Sequence, residues 1–323
     1  MKKIFIEWSK YGSRSDSLAE AVGAIPFFLG EINSHRNIFY SFLTYIPKTY
    51  RNFKVIRKTN PDVVFISNTN WVIALVNLIF AYLFKHKLVF DSHSCAFDHE
   101  FIKYPLPLSK YFARKADLSI ITNESYYKLL TSIGAKAIII SDIPFENKLA
   151  TDERIKLSEK INVCYVCNYS ADEPFREVFD AAGKLDKVII HVTGNYNKTT
   201  ILPNDYPHVN FTGYLSANDY KKFINSTDII MTLTTRENTM QRAGSEAISV
   251  GKPLITSDTQ MLRNYFKRGT VFVNNTSNGI ASGILEAVGN LNTLQDEILI
   301  FRNERKKEFS YKLETLKEIL ELQ

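Results

Sequence analysis

The sequence has few cysteines: Cys95, Cys164 and Cys167 are the only three among 323 residues. Three cysteines cannot form the kind of disulfide framework that stabilises small secreted domains. The N-terminal sequence MKKIFIEWSKYG also lacks the apolar run and small-residue cleavage site of a secretory signal peptide. Both absences predict a cytoplasmic protein.

Metal-binding patterns are absent as well. Cys164 and Cys167 form a CxxC, a spacing that occurs in redox and zinc sites. They lie in the β-branched run INVCYVCNY, and residues three apart on a strand point to opposite faces. The six histidines are scattered without the spacing of zinc ligands. We therefore interpret the pair as two strand cysteines and predict no metal site.

Long apolar runs are missing. The longest apolar segment, Trp71 to Phe84 (WVIALVNLIFAYLF), is shorter than the about 20 residues that a bilayer span requires. It predicts a buried or interfacial helix.

Charge is distributed unevenly along the chain. Residues 1–150 carry 19 Lys and Arg against 12 Asp and Glu, whereas residues 151–323 carry 21 against 22. A basic N-terminal half next to an apolar helix suits an anionic membrane surface or a phosphate-bearing acceptor. Solvated surface lysines without a partner are the alternative. Nucleic acid is not predicted as a partner, because no nucleic-acid-binding motif accompanies the charge.

Short β-rich runs alternate with helical stretches through the whole chain, which is typical of the α/β class with mostly parallel sheets. The alternation breaks in a polar, proline-containing stretch around residues 144–160, which we interpret as a linker. We predict a Rossmann-like lobe over residues 1–143 and a second over 161–300. Residues 301–323 are predicted to form a C-terminal helix that packs back on the first lobe.

Three nucleotide-binding signatures are absent. The sequence contains neither GxGxxG nor GxxxxGK[ST], so fingerprint dinucleotide binding and P-loop chemistry lack support. An Asp-x-Asp is absent too.

The segment Thr234–Asp258, TTRENTMQRAGSEAISVGKPLITSD, is the most informative part of the chain. It resembles the donor-site signature of glycosyltransferase family 4 and its GT-B relatives, in which a helix reading E-A-x-x-x-G-x-P leads into a strand. Glu246, Ala247, Gly251 and Pro253 supply that pattern here, in a branch that carries the motif TMQRAGSEA. Upstream, VNFTGYL at 209–215 and TGN at 193–195 look like the family's nucleotide-contacting turns.

The resemblance implies a fold and an activity. The fold is GT-B, two Rossmann-like lobes with a cleft between them. The activity is retaining, metal-independent transfer of a sugar from a UDP- or GDP-linked donor to a glycan or lipid-linked saccharide, with no further cofactor. Such an enzyme of polysaccharide biosynthesis is expected in the cytoplasm, as a peripheral protein at the inner membrane face.

The same resemblance implies a donor site. Glu246 is expected to accept the two ribose hydroxyls, and Arg242, one turn earlier, to pair with it or reach the phosphates. The helix is expected to begin near Asn238 or Thr239, with its amides directed at the diphosphate. A solvated Glu–Arg pair is the alternative interpretation. The remaining expected donor-binding residues are Gln241, Arg236, Gly194, Asn195, Lys198 and Tyr214.

The sequence departs from the family pattern at two places. Asn238 stands where the signature usually has a second Glu. Asn168 and Glu173 stand where an Arg and a Lys usually hold the diphosphate. Lys198, Arg236 and Arg242 are the available substitute cations.

The first lobe offers a candidate acceptor or phosphate contact. The stretch WSKYGSRSDSLAEAVG predicts a strand, a Gly/Ser loop and a helix capped by Ser15 or Asp16. Gly12 and Arg14 of this loop are the candidate binding residues. An ordinary βα turn with a solvent-facing Arg14 is the alternative.

Candidate catalytic groups follow the strand KLVFDS. The resemblance implies a histidine near the transferred sugar, and His93 lies at the carboxyl end of that strand. Asp98 is the second candidate, and Asp91, His99 and Glu100 are rivals for acid–base work. A structural role for His93 is the alternative.

Two other functions remain open from the sequence. Nucleotide-sugar 2-epimerases share the GT-B architecture and also keep a ribose-binding glutamate. A non-catalytic sugar-nucleotide-binding or assembly subunit is compatible with the missing Arg and Lys.

Overall fold

A computed structural model describes residues 1–30, 38–92, 96–97, 106–141 and 149–321, with only the backbone of residues 38–43. The chain divides into two compact units. The first comprises residues 1–143 and 309–323, and the second comprises residues 144–308.

The first unit contains a six-stranded parallel sheet of order β2-β1-β3-β4-β5-β6. Its strands are β1 (Lys3–Glu7), β2 (Ile25–Phe28), β3 (Val63–Asn68), β4 (Lys87–Ser92), β5 (Leu118–Ile121) and β6 (Ala137–Ile139). Its helices are α1 (Ser13–Val22), α2 (Ile38–Thr59), α3 (Trp71–Phe84), α4 (Leu106–Lys115) and α5 (Glu124–Ser132).

Side-chain alternation along β1 buries both faces of the first sheet. Ile4 and Ile6 belong to one apolar cluster, whereas Phe5 points to the other face and stacks on Phe65 with ring centroids 6.0 Å apart. Strands that are apolar on both faces require helices on both sides, as the predicted α/β alternation implied.

The apolar segment forms the predicted helix with the predicted bounds, α3. Asn70 begins the helix, because its side chain accepts hydrogen bonds from the amides of Val72 and Ile73 at 3.0 and 3.1 Å. Lys85 ends it in the left-handed conformation, at φ 59°. Among the residues that the structure describes, no helix is both long enough and apolar enough to cross a bilayer.

The second unit contains another six-stranded parallel sheet, of order β12-β11-β10-β7-β8-β9. Its strands are β7 (Ile161–Tyr165), β8 (Val188–Thr193), β9 (Val209–Gly213), β10 (Ile229–Thr232), β11 (Leu254–Ser257) and β12 (Thr270–Val273). Its helices are α6 (Phe175–Ala182), α7 (Ala217–Ser226), α8 (Arg242–Val250), α9 (Gln260–Tyr265) and α10 (Ser277–Gly289). The two Rossmann-like folds predicted from the alternation are thereby confirmed.

The last helix, α11, runs from Leu291 to Glu321. It begins ten residues before the predicted C-terminal helix, and its residues from Phe309 onward belong to the first unit. Near its end, the Leu320 carbonyl accepts a hydrogen bond from the Lys87 ammonium of β4.

The two cysteines of the CxxC are buried free thiols. Cys164 lies in β7, but Cys167 lies two residues beyond the end of that strand, in the following loop. Burial raises the pKa of both thiols well above the ordinary value, which keeps them protonated and unreactive. Within the described ranges, no group of His, Cys, Asp or Glu side chains is arranged to hold a metal ion.

Gly194 brings the ends of β7, β8 and β9 together. Its amide donates to the Gly213 carbonyl at 3.0 Å, and a Cβ at position 194 would lie 2.0 Å from the Cys167 carbonyl oxygen. Its φ of 95° also lies in a region that side chains disfavour. Only glycine allows the loops after β7 and β8 to approach this closely.

Two alanine substitutions separate backbone strain from this close approach. Gly213 has a positive φ of 70°, and a Cβ added there would have no atom within 4 Å. We therefore expect Gly213→Ala to lower the free energy of unfolding by about 1–2 kcal/mol through backbone strain alone. Gly194→Ala adds the clash with the Cys167 carbonyl, so we expect a loss of about 4 kcal/mol or more. Urea unfolding of the two variants measures the difference. Equal losses would contradict the close-approach explanation.

Candidate functional site

A cavity of about 500 Å³ lies at the carboxyl ends of the central strands of the second sheet. β7 neighbours both β8 and β10, so the strand order reverses here. Ligands of doubly wound sheets bind at such a switch point. The lining residues are Val166, Cys167, Asn168, Glu173, Thr193, Gly194, Tyr214, Leu215, Ala217, Tyr220, Thr232, Gln241, Arg242, Ala243 and Glu246.

Helix α8 carries Glu246 into this cavity. The helix is rich in small residues, and Gly244 packs so closely on Phe266 that a Cβ would lie 2.6 Å from the ring. Gly251 ends the helix in the left-handed conformation, at φ 68°. Because the helix packs this closely, Glu246 is only 5% exposed although it is charged.

Both oxygens of the Glu246 carboxylate have partners. The Tyr220 hydroxyl of α7 donates to Oε2 at 2.5 Å, and Arg242 Nε lies 2.7 Å from Oε1. Burial, followed by the Glu246 charge, raises the pKa of Tyr220 well above its ordinary value, so the hydroxyl stays a proton donor. The carboxylate of this pair is buried and held on two sides, whereas the Arg242 side chain is 48% exposed, so only the arginine is solvated.

Helix α8 begins at Arg242, not near Asn238 or Thr239 as predicted. Gln241 is the N-cap residue, with an extended backbone. Its side chain binds the end of β10: Thr232 Oγ1 donates to Oε1 at 2.9 Å and Nε2 donates to the Leu233 carbonyl at 2.7 Å. These two bonds hold residue 241 beside the strand, so the helix starts later and its N-terminal end lines the cavity.

Glu173 closes the turn that follows β7. Its carboxylate accepts hydrogen bonds from the amides of Asn168 and Ser170 at 2.9 and 2.8 Å. Burial is the main cause that raises the pKa of Glu173, and the amide bonds oppose it. The chain's own carboxylate thus occupies amides that would otherwise be free to bind an anion.

Part of the expected donor site comes together in the cavity. Glu246, Arg242, Gln241, Gly194 and Tyr214 all line it. The other expected residues, Arg236, Asn238, Thr239, Asn195 and Lys198, are not among its lining residues.

Two of these outlying residues have local partners. Arg236 Nε lies 4.0 Å from Oδ1 of Asp172, and Oδ2 of Asp172 accepts a hydrogen bond from the Thr234 hydroxyl at 2.8 Å. The Asn195 side chain caps a short turn by accepting from the Asn197 amide at 3.1 Å. Both arrangements stabilise loops at the edge of the site.

Tyr220 and the amide contacts of Glu173 were not predicted as parts of the site. Tyr220 belongs to the helical stretch ANDYKKFINS, where it is one of several side chains at helical spacing. Its hydroxyl reaches Glu246 on another helix, 26 residues away in sequence, and no local pattern indicates that contact.

In the first unit, Arg14 is neither solvent-facing nor free for a phosphate. Its Nη2 donates to Asp91 at 2.9 Å and to the Ile140 carbonyl at 2.8 Å, and Nη1 donates to the Ser141 carbonyl at 3.3 Å. This ion pair joins α1 to the ends of β4 and β6. It also occupies Asp91, one of the rival acid–base groups.

The candidate catalytic residues His93 and Asp98, and their rivals His99 and Glu100, lie outside the described residues. Gly12 is the N-cap of α1, so the predicted caps Ser15 and Asp16 are wrong. The helix starts earlier because the loop turns at Gly12, where a side chain would collide with Glu7.

Comparison with known proteins agrees with this architecture. A family model described as "Glycosyl transferase-like" matches residues 173–314, a little under half of the chain, and this range contains α8 and Glu246. No curated protein matches the chain by sequence.

Solved structures match over nearly the full length. Sucrose-phosphate synthase from Thermosynechococcus elongatus has a TM-score of 0.78 at 13% identity, over 100% of this chain and 99% of that one. Anabaena Alr3699/HepE in complex with UDP-glucose has a TM-score of 0.69 at 14% identity, over 98% and 100%.

A protein described as a UDP-N-acetylglucosamine 2-epimerase from Listeria monocytogenes has a TM-score of 0.59 at 12% identity, over 93% and 91%. Identities this low show the fold alone. The fold is GT-B, and together with the family model it supports a place for this chain in the GT-B glycosyltransferase superfamily.

Proposed function

We propose that this protein is a glycosyltransferase that moves a sugar from a nucleotide-sugar to a hydroxyl of a glycan or lipid-linked saccharide. The observation that carries the proposal is the buried Glu246 carboxylate at the switch point of the second sheet. It lies within the range that matches the glycosyl transferase-like model. Assignment to family 4, and a role in polysaccharide biosynthesis, are part of the proposal.

The donor ribose binds to Glu246. A carboxylate has about four acceptor positions, of which Tyr220 and Arg242 use one each. One position on each oxygen is left for the two vicinal hydroxyls of a ribose. Tyr220 and Arg242 fix the plane of the carboxylate, so that little orientation is lost when the ribose binds.

The donor diphosphate binds beside the N-terminal end of α8 and Arg242. The positive end of a helix favours an anion, and Arg242 is the cation that lines the cavity. The turn after β7 is unsuited to this task, because Glu173 occupies the amides of Asn168 and Ser170. Transfer by this arrangement uses no resident metal.

A uridine diphosphate sugar is the donor class we favour. HepE, which shares the fold, is described in complex with UDP-glucose. We propose retention of anomeric configuration, in which the bond between the sugar and the donor phosphate breaks as the acceptor hydroxyl attacks from the same face. The acceptor proton goes to the leaving phosphate oxygen, and the helix end and Arg242 stabilise the charge that develops there.

A nucleotide-sugar epimerase is the second candidate, because the Listeria protein shares the fold. An epimerase converts the free nucleotide-sugar with no acceptor, whereas a transferase releases the nucleoside diphosphate. The third candidate, a non-catalytic sugar-nucleotide-binding subunit, is favoured by Glu173 at the position where the family has a cation. Such a subunit binds the donor without turnover.

Ligand-induced stabilisation tests the donor site. We expect UDP-glucose to raise the melting temperature of the wild type equally with and without a chelator, since binding stabilises by mass action. Glu246→Ala is expected to abolish the increase. Glu286→Ala, which removes an exposed carboxylate of α10, is the matched control and should retain it.

Analysis of the reaction products separates the three candidate functions. UDP release that depends on a saccharide identifies a transferase, and a changed sugar on intact UDP identifies an epimerase. Donor binding without either product indicates the non-catalytic subunit. No response to any nucleotide-sugar, or an undiminished response in Glu246→Ala, would contradict the proposed donor site.

We propose further that the first unit binds the cytoplasmic, anionic face of a membrane. Helices α2 and α3 form an apolar groove of about 540 Å³, here called the aromatic groove. It is lined by Tyr45, Ile46, Thr49, Tyr50, Phe53, Trp71, Val72 and Phe80. Tyr82 and Leu83 of α3 are 75% and 60% exposed, so this helix presents two large apolar side chains to solvent.

A lysine lies over each of two exposed tyrosine rings of α2 and α3. Lys54 lies over the Tyr50 ring and Lys85 over the Tyr82 ring, with ammonium-to-centroid distances of 4.4 and 4.7 Å. Aromatic side chains next to lysines suit the boundary between anionic headgroups and acyl chains.

Vesicle sedimentation tests this surface. We expect the wild type to sediment with anionic phosphatidylglycerol vesicles at low salt and to be released at about 1 M salt, where the Debye length is about 3 Å. The double variant Tyr82→Ser/Leu83→Ser should bind about tenfold more weakly, because less apolar surface is buried. Leu202→Ser, at a 63% exposed position of the second unit, is the control. Equal binding to neutral vesicles, or indifference to the double substitution, would contradict the proposal.

A further inference from the structure

The cavity of the second unit carries a net negative charge before any donor binds. Among the described residues that line it, the charged side chains are Glu173, Glu246 and Arg242, two carboxylates against one guanidinium. The guanidinium is already paired, because Arg242 Nε lies 2.7 Å from Glu246 Oε1. Each phosphate of a nucleoside diphosphate sugar brings a further negative charge, which two ionised acids repel. Donor binding is therefore favoured if one of the two acids loses its charge.

The two carboxylates differ in the partners that surround them. Glu246 faces the Arg242 guanidinium on one oxygen and accepts a hydrogen bond from the Tyr220 hydroxyl on the other. Both partners favour the ionised form of Glu246. The hydrogen bonds to the Glu173 carboxylate come instead from neutral groups of its own turn. Glu173 is therefore the acid that takes up a proton more readily.

The two oxygens of Glu173 are bonded unequally. Oε2 accepts the amides of Asn168 and Ser170 at 2.9 and 2.8 Å and lies 3.6 Å from Cys167 Sγ. Oε1 has a longer contact, 3.2 Å from the Asn168 amide. A protonated carboxyl group donates through one oxygen and still accepts through the other. Glu173 can therefore keep its two short amide bonds on Oε2 while Oε1 carries a proton.

The surroundings of Glu173 favour the neutral acid. Burial is the main cause that raises its pKa, the amide bonds and the Cys167 thiol oppose that change, and the adjacent Asp172 adds to it. Arg236 lies nearer to Asp172 than a distant charge would, with Nε 4.0 Å from Oδ1. The neighbouring groups whose own pKa burial raises, and which therefore stay neutral, are Tyr165, Cys167 and Tyr169.

We propose that Glu173 binds the donor diphosphate in its protonated form, with Oε1 donating a hydrogen bond to a phosphate oxygen. The proton comes from solvent and is taken up as the donor binds. The inference rests on the proposed glycosyltransferase function and makes its donor site more specific. A neutral carboxylic acid here provides the hydrogen bond for which the family pattern has a cation.

Proton uptake makes the affinity for the donor depend on pH. Glu173 holds its proton more tightly in the complex than in the free protein. Affinity is therefore highest below the pKa of Glu173 in the free protein and falls as the pH rises above it. UDP-glucose has no phosphate monoester, the group that titrates near pH 6, so over about pH 6.5 to 7.5 a change in its affinity reports on the protein.

Calorimetric titration of the full chain with UDP-glucose tests the role of Glu173. Glu173→Gln imitates the protonated acid, and Asp180→Asn, which removes an exposed charge of α6, is the control. Titration in PIPES and in Bis-Tris, buffers that differ in ionisation enthalpy, counts the protons taken up.

The variants are expected to differ in proton uptake and in affinity. At about pH 6.5 the wild type and Asp180→Asn should take up about half a proton or more per donor, and their affinity should fall about threefold or more by about pH 7.5. Glu173→Gln should take up none and should bind UDP-glucose about fivefold or more tightly than the wild type at about pH 7.5, because no charge has to be neutralised. A glutamate with a merely structural role predicts weaker or unchanged binding in this variant.

Two results overturn the inference. One is binding of UDP-glucose by the wild type without proton uptake, and the other is uptake that persists in Glu173→Gln. If Glu173→Gln does not fold, the two-buffer titration of the wild type still decides, since uptake supports the role of Glu173 and its absence overturns it.

Failure of the proposed function gives a different result. If neither the wild type nor Glu173→Gln binds UDP-glucose at either pH, the donor site itself is contradicted. If the wild type binds UDP-glucose without proton uptake and Glu246→Ala does not bind it, the donor site stands and only the role of Glu173 is overturned.

Discussion

The buried charge of Glu246 is the constraint on which the second unit's site depends. A carboxylate that is 5% exposed is stable only if its oxygens are satisfied. Tyr220 and Arg242 satisfy them, and this requires Tyr220 of α7 and Arg242 of α8 to meet Glu246 at the carboxyl ends of the central strands. Gln241 fixes that start by binding the end of β10. The cavity therefore exists in the ligand-free chain with its principal acceptor already oriented, which is the condition for binding a ribose without rearrangement.

A buried glutamate lies at or just after the end of the first strand in both units, but the hydrogen bonds of the two carboxylates differ. In the second unit, Glu173 satisfies the amides of Asn168 and Ser170, so the turn has an anion of its own. In the first unit, Glu7 Oε2 lies beside the start of α1 without such bonds. Because Glu173 occupies the amides of Asn168 and Ser170, the cation that lines the cavity of the second unit is Arg242, at the start of α8.

Local patterns in the sequence predicted most of the fold. The alternation of β-rich and helical runs predicted both sheets, and the apolar segment predicted α3 with its bounds. Both features depend on residues that are close together in sequence, so periodicity and composition indicate them. The placement of Glu246 in a cavity also followed from the strand–loop–helix order. The predicted start of α8 was wrong, and the ion pair of Arg14 with Asp91 was not predicted. Both depend on contacts between residues far apart in sequence, Gln241 with the end of β10 and Arg14 with Asp91, which no local pattern contains.

Calorimetric titration with deoxyribose analogues measures whether Glu246 binds the ribose of the donor. The wild type should bind UDP about 10- to 100-fold more tightly than 2′-deoxy- or 3′-deoxy-UDP, because each deoxy analogue lacks one hydrogen bond to a charged acceptor. Glu246→Ala should bind all three nucleotides with the same low affinity. Equal affinity of the wild type for UDP and both deoxy analogues would contradict a ribose-binding role for Glu246, since the carboxylate would then contribute nothing to recognition of the ribose.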